Sequence, residues 1–254
     1  MTDRSVLTDE QWQVFYEFLK RHQRVYIGNV NGCRKFVNAV LYVLRSGIQW
    51  RLLPKEVGKW NSVFKRFNRW CGFGVWKELF DSCIKEPDLQ RVLLDSTVIR
   101  AHACSAGAAG SRAQVEKLGR SCGGFSTKLH AVTDALGNPI AFILSAGQAS
   151  DIGQARTLLE LTPAGIEAVL ADKAYDSDEF IEAIQQRDAK PVIPPKANRS
   201  QPRKCDYVLY KERHLIECFF GKIKHYRRVF SRYEKKAKNY MGFVQLVSAL
   251  IWLR

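Results

Sequence analysis

The fold is decided by STKLHAVTDALGNPIAFILS, residues 126–145. Two runs in this stretch, Ser126–Thr133 and Ile140–Ser145, have the apolar and β-branched composition of strands. The DALGNP segment between them contains the Asp, Gly, Asn and Pro residues that tight turns use, so it predicts a hairpin. Upstream, Arg91–Ile99 (RVLLDSTVI) predicts a third, buried strand.

Helix and strand patterns alternate after this hairpin. We expect a helix over about Ile152–Leu161, a strand over Glu167–Ala171, a helix over Asp178–Arg187, a strand over Pro191–Ile193 and closing helices after Asp206. Residues 105–124 and 194–206 have loop composition. Residues 89–254 therefore predict an α/β domain whose mixed sheet is flanked by helices.

Residues 1–88 predict a small all-helical domain instead. We expect one helix from Thr8 to about His22 and a second from Gly32 to Arg45, which Gly47 ends. A third helix begins at an Asn61 or Ser62 cap, and a fourth runs from Val75 to Lys85. On the third helix Lys65, Arg66 and Arg69 lie off the apolar stripe. This pattern fits a helix-turn-helix-like DNA-binding module and equally a packing domain with solvated basic residues.

Composition narrows the class of protein. Of 254 residues, 46% are hydrophobic and 26% charged, which excludes a disordered or fibrous chain. Apolar runs fall short of a membrane span, and residues 1–10 have no signal-peptide pattern. Seven cysteines without a C-x-x-C pair support neither a zinc ribbon nor a disulfide scaffold, so we expect a reducing cytosol.

Charge indicates the partner. The formal net charge of +15 is distributed as +6 over residues 1–90, zero over residues 91–200 and +9 over residues 201–254. Such a surplus can simply aid solubility, but a neutral middle between basic ends favours binding of a nucleic acid.

Two aspartates lie within or directly after predicted strands. Asp95 interrupts an apolar strand, and Asp172 follows the apolar residues Val169–Ala171. A buried carboxylate is unfavourable unless it is paired or binds a metal, and ligands collect at the carboxyl ends of strands in open α/β sheets. Either residue could instead cap a turn, and for Asp176 we favour capping of the helix that begins near Asp178.

A third acid comes from the segment Leu209–Phe230, treated as one helix. At 100° per residue, an apolar face lies opposite a polar stripe. The stripe consists of Tyr210, Arg213, Glu217, Lys224 and Arg228. Pairing of Arg213 with Glu217 would make it an ordinary solvated face. One acid among several bases also suits a phosphate-binding face around a metal-binding Glu217.

Together Asp95, Asp172 and Glu217 form an oxygen-ligand set for Mg²⁺ or Mn²⁺, and two such ions could support in-line phosphoryl transfer. The histidines are too dispersed to predict a zinc site, although His214 could approach these acids.

At these residues the chain resembles bacterial insertion-sequence transposases of the DDE class. Their signature Y-x2-R-x3-E-x6-K is matched by Tyr210, Arg213, Glu217 and Lys224. The blocks LLDSTVIRAH around Asp95 and ADKAYDS around Asp172 resemble those bearing the first two acids, and residues 8–70 and 123–151 also resemble the family. Cys122 stands where relatives often have a basic residue.

The resemblance implies an RNase H-like catalytic fold with metal ligands Asp95, Asp172 and Glu217. Arg213 and Lys224 would hold phosphates, and Tyr210 would position a phosphate or a base. The implied reaction is cleavage at the terminal inverted repeats of an insertion sequence and joining to target DNA. We expect a homo-oligomer on DNA at the bacterial nucleoid. A nuclease of the same fold and a non-catalytic repressor are the alternatives.

Overall fold

Thr8 begins the first helix of the structure, a computed structural model that describes residues 6–121 and 123–254. The Thr8 hydroxyl accepts a hydrogen bond from the Gln11 N–H, and the Gln11 side chain accepts one from the Thr8 N–H, each at 3.2 Å. This reciprocal pair is a capping box. The helices of this region are α1 (Asp9–Arg21), α2 (Val30–Ser46), α3 (Trp60–Gly72) and α4 (Val75–Cys83).

The remaining elements follow in chain order. They are β1 (Arg91–Ala101), β2 (Gly119–Ser121), β3 (Gly124–Thr133), β4 (Pro139–Ala146), α5 (Ile152–Glu160), β5 (Ala168–Ala171), α6 (Asp178–Gln185), β6 (Lys190–Val192), α7 (Tyr207–Tyr210), α8 (His214–Lys224), α9 (Arg227–Phe230), β7 (Ser231–Arg232) and α10 (Ala237–Trp252).

Most predicted elements are confirmed to within a few residues. Gly47 ends α2 in the left-handed region, at φ 73°, as a C-terminal glycine should. The predicted Asn61 or Ser62 cap is wrong, because α3 begins at Trp60 without a side-chain cap. The predicted loop 105–124 contains the short strand β2, and Cys122 lies outside the described residues.

The chain forms two compact units that do not follow chain order. The helical unit contains residues up to Lys85, His102–Glu116 and Ile223–Arg254, whereas the sheet unit contains Glu86–Ala101 and Lys117–Lys222. The predicted division after residue 88 stays a prediction. No helix in the described part of the chain is long and apolar enough to span a membrane.

The last helix, α10, is part of the core of the helical unit. Phe243 stacks on Phe67 of α3 with ring centroids 4.5 Å apart. A Cβ on Gly242 would lie 2.7 Å from the Cys71 sulfur and 3.2 Å from Trp76, so glycine permits this close approach. Because α10 is apolar around most of its surface, it requires burial of this kind.

The sheet unit has the predicted mixed sheet. Strand β3 pairs antiparallel with both β1 and β4, while β5 runs parallel to β1 and β6 parallel to β5. Leu158 of α5 and Ile184 of α6 pack with Val92 and Leu94 of β1 in one buried cluster. Since side chains alternate along a strand, Asp95 and Ser96 point to opposite faces of the sheet.

The prediction of one continuous helix over Leu209–Phe230 is wrong. The backbone stays helical through a 3₁₀ turn at Lys211–Arg213 into α8, but Tyr226 is extended, with φ −87° and ψ 110°. Tyr226 is buried beneath the Arg45 guanidinium, which lies 4.7 Å from the ring centroid, and this packing overrides the helical pattern.

Arg228 therefore leaves the polar stripe. Within the helical unit its side chain is 4% exposed, and its Nε lies 3.5 Å from Glu234 Oε1. The predicted DNA contact requires an exposed guanidinium, which Arg228 does not have.

Candidate active site

Two of the predicted acids lie side by side where two parallel strands separate. Leu94 of β1 is opposite Ala171 of β5 in the last pair of that ladder, so Asp95 and Asp172 are the next residues on each strand. Beyond this point β1 continues along β3, where Asp95 is opposite Ala131. The end of the parallel ladder thus brings together two carboxylates that are distant in sequence.

Each of these aspartates has one oxygen held by the backbone. Asp95 Oδ1 accepts from the Ser96 N–H and Asp172 Oδ1 accepts from the Ala174 N–H, both at 2.8 Å. Burial raises the pKa of Asp95 above its ordinary value, and the Asp172 carboxylate acts in the same direction. The Ser96 N–H and the Arg213 guanidinium oppose that rise in pKa. The two adjacent carboxylates therefore favour binding of a cation at this site.

Arg213 supplies a cation between the first and third acids. Its NH1 donates to Asp95 Oδ2 at 2.6 Å and its NH2 donates to Glu217, so the guanidinium links both carboxylates. The Tyr210 ring centroid lies 5.9 Å from the guanidinium carbon. No three metal-ligating side chains converge in the described part of the chain. Glu217 reaches Asp95 only through Arg213.

The residues nevertheless fit a hard divalent cation. Carboxylate oxygens are the ligands that such cations prefer, and Asp172 has no cationic partner among the described residues. The Tyr175 hydroxyl is buried without a hydrogen-bond partner in the described structure, within electrostatic range of Asp151, Asp95 and Asp172. Burial raises the pKa of Tyr175, and the carboxylates of Asp151, Asp95 and Asp172, in that order, raise it further, so the phenol stays a donor.

Comparison with known proteins decides the family. Residues 86–252 match the model described as "Transposase DDE domain", and residues 7–80 match "Putative transposase of IS4/5 family". The chain belongs to the DDE transposase family. As a member, this transposase is an enzyme of DNA cleavage and strand transfer, and its family implies dependence on a divalent metal.

Two curated relatives carry names of the same kind. A Brucella ovis protein, "Putative transposase for insertion sequence element IS6501", is 46% identical over 131 residues, which cover 51% of this chain and 99% of that protein. A Burkholderia cepacia protein, "Putative transposase for insertion sequence element IS402", is 30% identical over 135 residues, covering 49% of this chain and 62% of that protein.

A solved structure agrees at the level of fold. The piggyBac transposase synaptic complex with hairpin DNA aligns with a TM-score of 0.53 and 11% identity, covering 97% of this chain and 72% of that one. The predicted RNase H-like fold of the transposase is thereby confirmed.

A second polar cluster lies on the opposite face of β1, and the sequence reasoning missed it. The Ser96 hydroxyl donates to Asp151 Oδ1 at 2.5 Å, and the Lys128 ammonium lies 3.1 Å from the same oxygen. His130 is fully buried, with its Nε2 2.7 Å from the Ser145 hydroxyl. Asp151 precedes α5 and reads as a helix start, so its sequence context gave no signal of this role.

This cluster predicts sensitivity of the transposase to acid. Burial lowers the pKa of His130 to about 4; Lys128 adds to the effect and Asp151 opposes it. The folded chain keeps His130 neutral while the unfolded chain binds a proton below its ordinary pKa, so stability is lost as pH falls from about 6.5 to about 4. The loss from this residue should be about 3 kcal/mol.

The measurement is thermal unfolding of wild type and His130→Gln between pH 7 and pH 4.5. Glutamine keeps a hydrogen-bonding group without titrating, so the variant should lose less stability on acidification. His214→Gln, at an exposed histidine, is the control and should behave as wild type. Equal acid sensitivity of His130→Gln and wild type would show that another group controls it.

The expectation for Asp176 is wrong. Ser177, not Asp176, caps α6, with its hydroxyl accepting from the Phe180 N–H at 3.3 Å. Asp176 is buried and binds Arg199 at 2.8 Å and Arg203 at 2.7 Å. Burial alone would raise the pKa of Asp176, but the Lys196 N–H and these guanidinium groups outweigh it and lower the pKa. The carboxylate therefore anchors the basic loop 194–206.

The three basic residues predicted on α3 differ in the structure. Lys65 and Arg69 are exposed. The Arg66 guanidinium lies 4.4 Å from the centroid of the Phe36 ring and 4.9 Å from that of Trp70, so it packs against its own unit. Lys224, the last residue of α8, is half-buried.

Proposed function

We propose that this transposase cleaves DNA at the ends of its own insertion sequence and joins those ends to target DNA, using Asp95, Asp172 and Glu217. The observation that carries the proposal is the adjacency of Asp95 and Asp172 at the ends of parallel strands, with Arg213 linking Asp95 to Glu217. Family membership supplies the class of reaction, and this arrangement supports the choice of residues.

The three carboxylates would hold Mg²⁺ or Mn²⁺, in our proposal as two ions. A metal bound there supplies stabilisation of the charge that develops on the attacking and leaving oxygens. Asp95 contributes an oxygen from within β1 and Asp172 from directly after β5, whereas Glu217 contributes an oxygen from the first turn of α8. The backbone N–H donors of Ser96 and Ala174 hold one oxygen of each aspartate in place.

Arg213 has two roles in this proposal. Without DNA its guanidinium neutralises Asp95 and Glu217. A DNA phosphate would offer the same planar group a bidentate partner and release both carboxylates. Tyr210, beside Arg213, would contact the same phosphate or a flanking base, and Lys224 would bind another phosphate of the DNA.

The proposed partners are the terminal inverted repeats of the element and its target DNA. Because an element has two ends and each chain supplies one set of these three acids, we propose a homo-oligomer assembled on DNA. Its place of action would be the bacterial cytoplasm, at the nucleoid.

The test uses full-length protein and labelled oligonucleotides that carry the DNA flanking its reading frame. We expect cleavage and strand transfer with Mg²⁺ or Mn²⁺ and neither with chelator. Hydrolysis without joining would identify a nuclease instead. Specific binding without cleavage in either metal would identify a DNA-binding repressor.

The basic face of α3 yields a separate prediction. If Lys65 and Arg69 contact phosphates, the double change to alanine should weaken DNA binding and lower the slope of log K against log salt by about 2, because two fewer counterions are released. Lys77→Ala, at an exposed lysine of α4 paired with Asp81, is the matched control. An unchanged salt slope would assign α3 to packing. Full-length protein is needed because α10 completes this unit.

A further inference from the structure

We propose that Asp151 is a positioning residue for Asp95 and acts on it through Ser96. The inference rests on the proposed function, in which Asp95 binds metal. It concerns a group on the opposite face of β1, which would not touch metal or DNA.

The chain of contacts is short. Ser96 donates its N–H to Asp95 Oδ1 at 2.8 Å and its hydroxyl to Asp151 Oδ1 at 2.5 Å. One residue therefore connects a carboxylate on each face of the sheet. Fixing the Ser96 side chain fixes the N–H that orients the Asp95 carboxylate.

This connection lies where β1 has lost a neighbour. The ladder with β5 ends at Leu94, so beyond that point Asp95 and Ser96 stay paired with β3 but lose β5 as a neighbour. In the absence of pairing with β5, the contact from Ser96 to Asp151 replaces the missing restraint. A metal ligand at the end of a ladder needs such support, because a small displacement of its oxygens weakens coordination.

Asp151 is itself firmly held. The Lys128 ammonium lies 3.1 Å from its carboxylate and donates to the Ala149 carbonyl at 2.7 Å. Although Asp151 stands at the N-cap position of α5, its side chain makes no capping hydrogen bond. Aspartate at this position ordinarily caps, so the carboxylate is committed to Ser96 and Lys128 instead.

The key variant is Ser96→Ala, since it breaks the connection without leaving the Lys128 ammonium unpaired. We expect cleavage to fall by about 10- to 100-fold, with DNA affinity and melting temperature near wild type. The affinity of the protein–DNA complex for Mn²⁺ should fall by a similar factor. It is measured from the electron paramagnetic resonance signal of free Mn²⁺. Ser96→Thr keeps the hydroxyl and should restore most of both.

Asp151→Asn completes a double-mutant cycle. If both residues act through one connection, the double variant Ser96→Ala/Asp151→Asn should be no worse in Mn²⁺ affinity than the more impaired single variant. Ser145→Ala is the control, because it removes a hydroxyl from the same buried cluster without a contact to Asp95, and it should bind Mn²⁺ as wild type does.

Normal Mn²⁺ affinity in Ser96→Ala, or additive losses in the cycle, would overturn the inference. If Asp151→Asn fails to fold, the comparison of Ser96→Ala with Ser96→Thr still decides it. Failure of the proposed function has a different result: Asp95→Asn itself would then bind Mn²⁺ and cleave as wild type does.

Discussion

Cleavage is expected to fall by at least about 10³-fold in Asp95→Asn, Asp172→Asn and Glu217→Gln, because each change removes a proposed metal ligand worth several kcal/mol in the transition state. DNA affinity should stay within about twofold of wild type, since no phosphate contact is removed. The measurement is single-turnover cleavage beside a binding titration for each variant.

Asp172→Asn should also be at least as stable as wild type. Its carboxylate repels that of Asp95 and has no cationic partner among the described residues, so neutralising it relieves an unfavourable interaction. Glu182→Gln, at an exposed carboxylate on α6, is the matched control and should cleave normally. Cleavage retained by any one of the three variants would remove that residue from the site.

Removing the Arg213 charge should have opposite effects on metal binding and on catalysis. In Arg213→Gln no guanidinium competes with the metal for Asp95 and Glu217. Mn²⁺ should therefore bind the DNA-free protein about tenfold more tightly, because the metal no longer has to displace a charge-assisted hydrogen bond worth about 1.5–3 kcal/mol. Cleavage should nevertheless fall about 100-fold, because the proposed phosphate contact is lost.

Arg213→Lys separates charge from geometry. Lysine keeps the charge but cannot bridge two carboxylates through one planar group, so its Mn²⁺ affinity should lie between those of wild type and Arg213→Gln. Calorimetric titration with Mn²⁺, with and without DNA, measures both effects. Weaker Mn²⁺ binding in Arg213→Gln would contradict a competing guanidinium and indicate that Arg213 organises the acids.

Local chemistry explains what the sequence could predict. The turn residues of DALGNP, the Thr8 cap and Gly47 act within a few residues, so these elements were predictable. The apolar residues that precede Asp95 and Asp172 indicated two buried strands, and the two aspartates are adjacent because those strands pair in parallel up to Leu94 and Ala171.

The remaining differences come from contacts distant in sequence. The segment around Tyr226 has a helical pattern, but its ring is buried against Arg45, 181 residues away. Arg213 pairs with Glu217 as a surface helix would predict, and also with Asp95, 118 residues away. The spacing of four residues predicts the contact with Glu217, but sequence spacing does not predict the contact with Asp95. Asp151 reads as a helix start because its partners lie on β1 and β3.

The packing of α10 with α3 and α4 has a consequence for synthesis on the ribosome. The codons for α1–α4 are translated first, but their aromatic core stays incomplete until residues 237–252 have left the exit tunnel. The sheet unit ends at Lys222, so all of its residues are synthesised before the last segment of the helical unit. A reading frame interrupted before residue 237 would release α1–α4 with an open core. A decayed copy of such an element would therefore yield no folded N-terminal fragment to compete with the intact enzyme for DNA.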